Sequence, residues 1–337
     1  MMKKSIVVAL LGIVLWVMPQ GLIAQTCGTG ELDPRISYFL KLIGYQDFTL
    51  EELRAMPIDN IKYAGPPPMP YPKEDVRRIK ITEDSIPVLV FNPTNAREAP
   101  IIINYHGGGF ISPLLEGLEH SLWQEARTYG AIVFAVDYRV APEHKFPAAV
   151  DDSYNAFQWI AAHGGEFGGD TNRMVLMGNS AGANLVTVIT HRARKEGLAG
   201  KIKLQVLNGL PVDLRPGHLE TSVSYRENAW GYFQTKDATY FSIETYAPGA
   251  YDHPEVSPIL TEDLAGLPPA VMITAEFDPF RDDGFLYAAR LREAGVKVWD
   301  KCFPGQIHCL IGLPPDAEQL QEFAALVLTA MQECFAD

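Results

Sequence analysis

Met174-Val175-Leu176-Met177-Gly178-Asn179-Ser180-Ala181-Gly182-Ala183 is the stretch on which the fold turns. Met174 to Gly178 has the length and apolar character of a buried strand, and a helical run follows from Ala183 to Lys195. Between them stands Gly178-Asn179-Ser180-Ala181-Gly182, a G-x-S-x-G. A serine on a sharp strand-to-helix turn points its hydroxyl out of the sheet, and flanking glycines remove the Cβ atoms that would clash there. The motif alone is weak; its position between strand and helix makes Ser180 a candidate nucleophile.

Working outward, runs rich in β-branched residues lie at about 77–82, 86–92, 101–106, 131–138, 173–178, 202–209, 270–276 and 296–303. From the third run onward the connections are long enough for helices: Glu119 to Tyr129, Ala148 to His163, Ala181 to Lys195 and Asp283 to Glu293. Alternation of this kind predicts an α/β fold with an eight-stranded, mainly parallel sheet covered by helices on both faces. The first two runs are joined only by Glu83, Asp84 and Ser85 and read as an antiparallel edge hairpin. Two stretches break the alternation. Asp33 to Asn60 opens with an Asp33-Pro34 cap and carries a capping box from Thr49 to Glu52. Val212 to Val256 is rich in aromatics, among them Trp230, Tyr232, Phe233, Tyr240, Phe241 and Tyr246. Together, at about 33–60 and 212–256, they predict a helical lid. Pro66-Pro67-Pro68-Met69-Pro70 predicts an extended linker between the first lid piece and the sheet.

His106-Gly107-Gly108-Gly109-Phe110 directly follows the third strand-like run. Three glycines let successive backbone N–H groups turn toward one point, as a tetrahedral oxyanion requires. Gly107 and Gly108 are candidate donors, with the N–H of Ala181, the residue after the nucleophile, as the third. A nucleophilic serine needs a base, and the base needs a carboxylate to hold its tautomer. Where the serine stands on such a turn, the chain order is Ser, acid, His. Of the histidines after Ser180, only His308 follows the last strand-like run; His191 is expected at the surface, and His218 and His253 solvated in the lid. The acid candidates after the seventh run are Glu276, Asp278, Asp282 and Asp283; Asp278 opens the loop and is the expected acid, with Asp283 next, while Asp282 and Asp283 would otherwise cap the next helix.

Twenty-eight basic against 41 acidic residues give a formal net charge of −13, with no basic run to follow a phosphate backbone, so nucleic acid is not an expected partner. Lys3 and Lys4, the apolar run Ile6 to Met18 and the small residue Ala24 lay out a secretory signal peptide over residues 1–24, cleaved after Ala24. That run is shorter than the roughly 20 residues a spanning helix needs, which sets a retained anchor second. The expected product is exported, to the periplasm or the medium, as a single soluble domain of residues 25–337. Cys27, Cys302, Cys309 and Cys334 all survive cleavage. Three arrangements stay open: unpaired thiols, a Cys302–Cys309 ring around the His308 loop, and a Cys27–Cys334 tie between the ends. No Cys/His cluster has zinc spacing, so neither metal nor organic cofactor is expected.

From Ile79 to Met331 the chain resembles the hormone-sensitive lipase-like branch of the α/β-hydrolases, which contains many bacterial carboxylesterases. The likeness is carried by His106 to Phe110, Asp137 to His144, Phe146 to Asp152, Gly178 to Gly182, Asp278 to Asp282 and Gly305 to His308. It implies a triad of Ser180, Asp278 and His308, oxyanion donors at Gly107, Gly108 and Ala181, and a structural role for Asp137, Arg139 and Glu143, with His106 orienting the glycine loop. It also implies hydrolysis of short-chain carboxylic esters without a cofactor, the substrate being a small ester, and is compatible with a homodimer. Amide or peptide hydrolysis on the same triad, and small-molecule binding without catalysis, are the alternative functions. Asn179 stands where the family usually has Asp or Thr, and Ala183 replaces a frequent third glycine.

Overall fold

The computed structural model describes residues 27–336 apart from Thr29 and Asp84, so the leader expected at residues 1–24 lies outside the described residues. Eight strands form one sheet in the order β1-β2-β4-β3-β5-β6-β7-β8. They are β1 (Val76–Ile81), β2 (Ile86–Phe91), β3 (Ala99–Tyr105), β4 (Ile132–Val136), β5 (Gly169–Asn179), β6 (Ile202–Asn208), β7 (Ala270–Phe277) and β8 (Val298–Ile307). The expected hairpin of β1 and β2 is antiparallel, and β2 also meets β4 antiparallel; every later pairing is parallel.

Helices cover both faces because each central strand sends alternate side chains to opposite sides. Ile101 and Ile103 of β3, Leu176 of β5 and Met272 of β7 join one core with α5 (Ala148–His163), α6 (Ala181–Lys195) and α10 (Arg281–Glu293). Ile102, Val175, Val271 and Ile273 join the other, with Leu122 and Ala126 of α4 (Glu119–Tyr129) and Val327 and Met331 of α11 (Glu318–Ala336). Double coverage is why these strands read as unbroken apolar runs. Among the described residues, no helix is long and apolar enough to cross a membrane.

The two irregular stretches interlock. The first holds α1 (Pro34–Leu42), α2 (Leu50–Ala55) and α3 (Ile58–Lys62); the second holds α7 (Pro216–Thr221), α8 (Val223–Glu227) and α9 (Lys236–Tyr246). The Asp33 cap and the Thr49–Glu52 capping box form as expected. Leu53 of α2 packs with Phe241 of α9 and with Ile111, which follows the glycine loop. Arg54 grips Glu244 at 2.7 Å, and Asp47 accepts the N–H of Gly231 at 2.9 Å. Residues 66–70 form neither helix nor strand.

The cysteines correct the sequence reading. Cys27 is bonded to Cys302, so neither the Cys302–Cys309 ring nor the Cys27–Cys334 tie forms. Cys302 pairs with Thr274 inside the β7–β8 ladder, whereas the Cys309 thiol, beyond a bend in the chain, turns inward to the Asn208 carbonyl. Asp282 and Asp283 also differ from expectation: α10 begins at Arg281, which puts both inside its first turn with neither as its cap.

Candidate active site

Ser180 occupies a tight elbow between β5 and α6, with φ 55° and ψ −122°, and its N–H donates to the Asn208 carbonyl at 2.8 Å. A non-glycine residue with positive φ is strained and persists only where its surroundings impose it. The flanking glycines are sterically required. A Cβ on Gly178 would lie 2.3 Å from the backbone of Gly182, and one on Gly182 would lie 1.9 Å from the Tyr105 carbonyl oxygen. Ala181 opens α6, so its N–H has no acceptor within the helix and stands at the positive end of the helix dipole.

The loop after β3 lies directly beside this elbow. A Cβ built on Gly107 would be 3.4 Å from the Ser180 Cβ, and Gly108 and Gly109 have φ of +114° and +61°. The third glycine therefore serves backbone geometry, continued by Phe110 at φ 61° and braced by its stack on Tyr246 at 4.0 Å. His106 shapes the loop from beneath: Nδ1 meets the Gly107 carbonyl at 2.7 Å, and the ring stacks 4.1 Å from Tyr138. Burial lowers its pKa to about 4, which keeps it neutral at ordinary pH. Asp137 accepts the N–H of Leu114, Arg139 is bonded to the buried Asp152, and Glu143 holds Lys62; these are structural contacts.

Asp278 and His308 meet. The Asp278 Oδ2 lies 2.8 Å from His308 Nδ1, and Oδ1 accepts the Phe280 N–H at 2.9 Å. Asp278 is wholly buried and His308 is 3% exposed. Burial alone would lower the imidazole pKa, but the Asp278 carboxylate first, and the Cys309 thiol next, hold it well above its ordinary value. With Nδ1 committed to the carboxylate, Nε2 is left to exchange a proton. In this structure Nε2 lies 3.4 Å from Cys309 Sγ. That thiol shares the Asn208 carbonyl with the Ser180 N–H, so base, thiol and serine backbone converge on the end of β6.

The other candidates fall elsewhere. Asp283 is buried and faces His218 at 2.6 Å while accepting the N–H groups of Val212 and Asp213. His218 is thus held rather than solvated. His191 is buried rather than at the surface, bonded to Tyr287 and Thr261, because α6 is covered along most of its length; burial lowers its pKa to about 3. His253 is exposed, as expected. Sequence reasoning passed over Phe280, whose ring meets the His308 edge at 5.0 Å, and Asn228, which donates to the Asp278 carbonyl, and it weighed Cys309 only as a disulfide partner and not as a contact of the base. Adjacency to His308 was the only signal for the last.

A family model described as the alpha/beta hydrolase fold matches residues 102–312. An arylesterase of Saccharolobus solfataricus is 30% identical over 298 residues, 86% of this chain and 95% of its own. The carboxylesterase NlhH of Mycobacterium tuberculosis is 39% identical over 232 residues, 66% of this chain and 70% of its own. Among solved structures, a hyperthermophilic esterase from the archaeon Pyrobaculum calidifontis superposes with a TM-score of 0.79 at 31% identity, covering 91% of this chain and all of that one.

Proposed function

Because the chain belongs to the α/β-hydrolase family, in its hormone-sensitive lipase-like carboxylesterase branch, we propose that it is a serine carboxylesterase acting on short-chain carboxylic esters. The observation that carries this reading is the buried Asp278–His308 contact of 2.8 Å, in the chain order Ser, acid, His behind a strained serine elbow. His308 Nε2 takes the proton of the Ser180 hydroxyl as Oγ attacks the ester carbonyl. The N–H groups of Gly107, Gly108 and Ala181 receive the oxyanion, and the imidazolium returns its proton to the departing alcohol. Water then repeats the attack on the acyl-enzyme and releases the acid. Asp278 fixes the tautomer throughout. The paired segments around α2 and α9, packed on the glycine loop, act as the lid that shapes the substrate pocket.

Export is part of the same reading. It rests on the leader-like residues 1–24 and on the Cys27–Cys302 bond, since such bonds persist in oxidising compartments. Self-association into a homodimer belongs here too, and sedimentation of the mature protein reads it. The deciding experiment is labelling with a fluorophosphonate probe, abolished by Ser180→Ala; a folded, unlabelled wild type would overturn catalysis in favour of binding. Rates on p-nitrophenyl esters of increasing chain length should peak at short acyl groups, and a maximum on long emulsified esters would refute the substrate range.

A further inference from the structure

β7 and β8 are not in continuous register. Ala275 pairs with Phe303, but Phe277 pairs with Ile307, so Pro304, Gly305 and Gln306 loop out opposite the single residue Glu276. Glu276 lies near the end of β7, two residues before Asp278, while the looped-out residues are followed by Ile307 and then His308. A gap of this kind at the catalytic base would leave the base mobile unless something filled it.

The Glu276 carboxylate, 8% exposed, fills it. Its Oε2 accepts the Gly305 N–H at 2.7 Å, and its Oε1 accepts the Gly30 N–H at 2.7 Å. A Cβ on Gly28 would lie 1.9 Å from the same carboxylate, so the backbone there is pressed against it. The N-terminal segment then continues along the loop: Asp33 donates its N–H to the Gly305 carbonyl at 2.9 Å and accepts from the Gln306 side chain at 3.0 Å. Ile36 and Leu40 of α1 pack with Phe277 and Ile307. The Cys27–Cys302 bond closes the arrangement on the β8 side. A carboxylate accepting two backbone N–H groups makes charge-assisted hydrogen bonds, stronger than neutral ones and fixed in direction.

We propose that Glu276 is a positioning residue for the Asp278–His308 pair, acting through the Gly305 loop, and that the N-terminal strap tied by Cys27–Cys302 is the other jaw of the same clamp. The clamp rests on the reading of Ser180, Asp278 and His308 as a triad. It touches no substrate. It holds the imidazole at the distance from Asp278 at which the carboxylate raises its pKa, with Nδ1 committed to Asp278 and Nε2 left to exchange a proton.

The test compares the mature wild-type protein with Glu276→Gln and Cys27→Ser, measuring kcat and KM on p-nitrophenyl acetate and the pH profile of kcat/KM. The amide keeps the size of the side chain but loses the charge that both N–H groups share. In Glu276→Gln, kcat should fall by about tenfold or more, since small displacements of a catalytic group are costly, with KM little changed. The acid-limb midpoint should move downward as His308 slips from Asp278. Cys27→Ser should show a smaller loss with the same direction of shift, and it carries the test alone if Glu276→Gln does not fold. Folded variants with wild-type kcat and an unmoved midpoint would overturn the clamp, as would a loss that tracks only the folded fraction. Fluorophosphonate labelling of the wild type separates the two readings: without it the triad falls and the clamp with it, whereas with it an unaffected variant removes the clamp alone.

Discussion

The Oδ1 of Asp283 lies 2.6 Å from Nε2 of His218, a second carboxylate–imidazole contact on the same helix-opening segment as Asp278. The two aspartates look alike in the sequence but perform different work. Asp278 faces the candidate base, whereas Asp283 binds the backbone where the second irregular segment leaves the sheet. Asp278→Asn should therefore lower kcat by about 10³–10⁴, because the amide favours the wrong histidine tautomer. Asp283→Asn should leave kcat per folded molecule near wild type and cost about 3 kcal/mol of stability, since it breaks a buried pair. Kinetics and denaturant melts on both variants check this; a larger kcat effect at Asp283 would move the assignment of the acid.

The raised pKa of His308 sets the direction of the pH dependence. Only the neutral imidazole accepts the serine proton, so kcat/KM should climb from acid toward alkaline pH with a midpoint above the ordinary value of about 6.5. Asp278→Asn should bring that midpoint down. By linkage, the pair adds stability that is complete below the pKa of the unfolded imidazole and is lost as pH rises through the folded one. A rate flat between about pH 5 and 8 would contradict a histidine base.

Gly182 has no room for a side chain, because its Cβ would lie 1.9 Å from the Tyr105 oxygen and 2.7 Å from the His106 oxygen. Both obstacles are backbone, so Gly182→Ala should cost about 3 kcal/mol or more, at the upper end of overpacking effects. The neighbouring Ala183→Gly, in the helix interior, should cost about 1 kcal/mol from propensity. Thermal denaturation of the two variants reads the difference, and equal losses would show that the elbow can relax.

Glu125 on α4 reaches the buried Asn104, and burial raises its pKa to about 7 despite that hydrogen bond. An unfolded glutamate ionises near 4.3, so the folded state is penalised as pH rises from there toward 7. Because the residue is partly exposed, the penalty is discounted to about 1–2 kcal/mol. Glu125→Gln should accordingly stabilise the protein by that amount at pH 8 and not at pH 4; melting curves at both pH values decide it.

The strand-helix alternation and the Ser180, Asp278 and His308 candidates were legible because each rests on a local requirement. Glycine must flank the elbow, positive φ demands the Gly108-Gly109 pair, and His308 is the lone histidine beyond the last strand. What was hidden depends on register or on distant partners. The β8 loop-out exists only relative to β7, so neither the β8 end at Ile307 nor the role of Glu276 could be read from either strand alone. His191 read as a surface residue because its partners, Thr261 and Tyr287, come from other segments. α11 was not anticipated as the cover of the second core, and the spacing near His308 left open a Cys302–Cys309 ring that the bond of Cys302 to the distant Cys27 excludes.

The bond between Cys27 and Cys302 spans 275 residues, which ties the histidine loop to the order in which the chain is made. At roughly 5–20 residues per second, the first sulfur waits some tens of seconds for its partner to be synthesised. Throughout that interval Cys27 has no Cys302 to pair with, and Cys302 arrives just ahead of Cys309, a competing nucleophile of the same kind. Correct pairing is therefore a late event in biosynthesis, decided among thiols that meet only after β8 has emerged. A cell making this protein in quantity would need disulfide exchange at that last stage to direct the oxidised chain to the Cys27–Cys302 isomer.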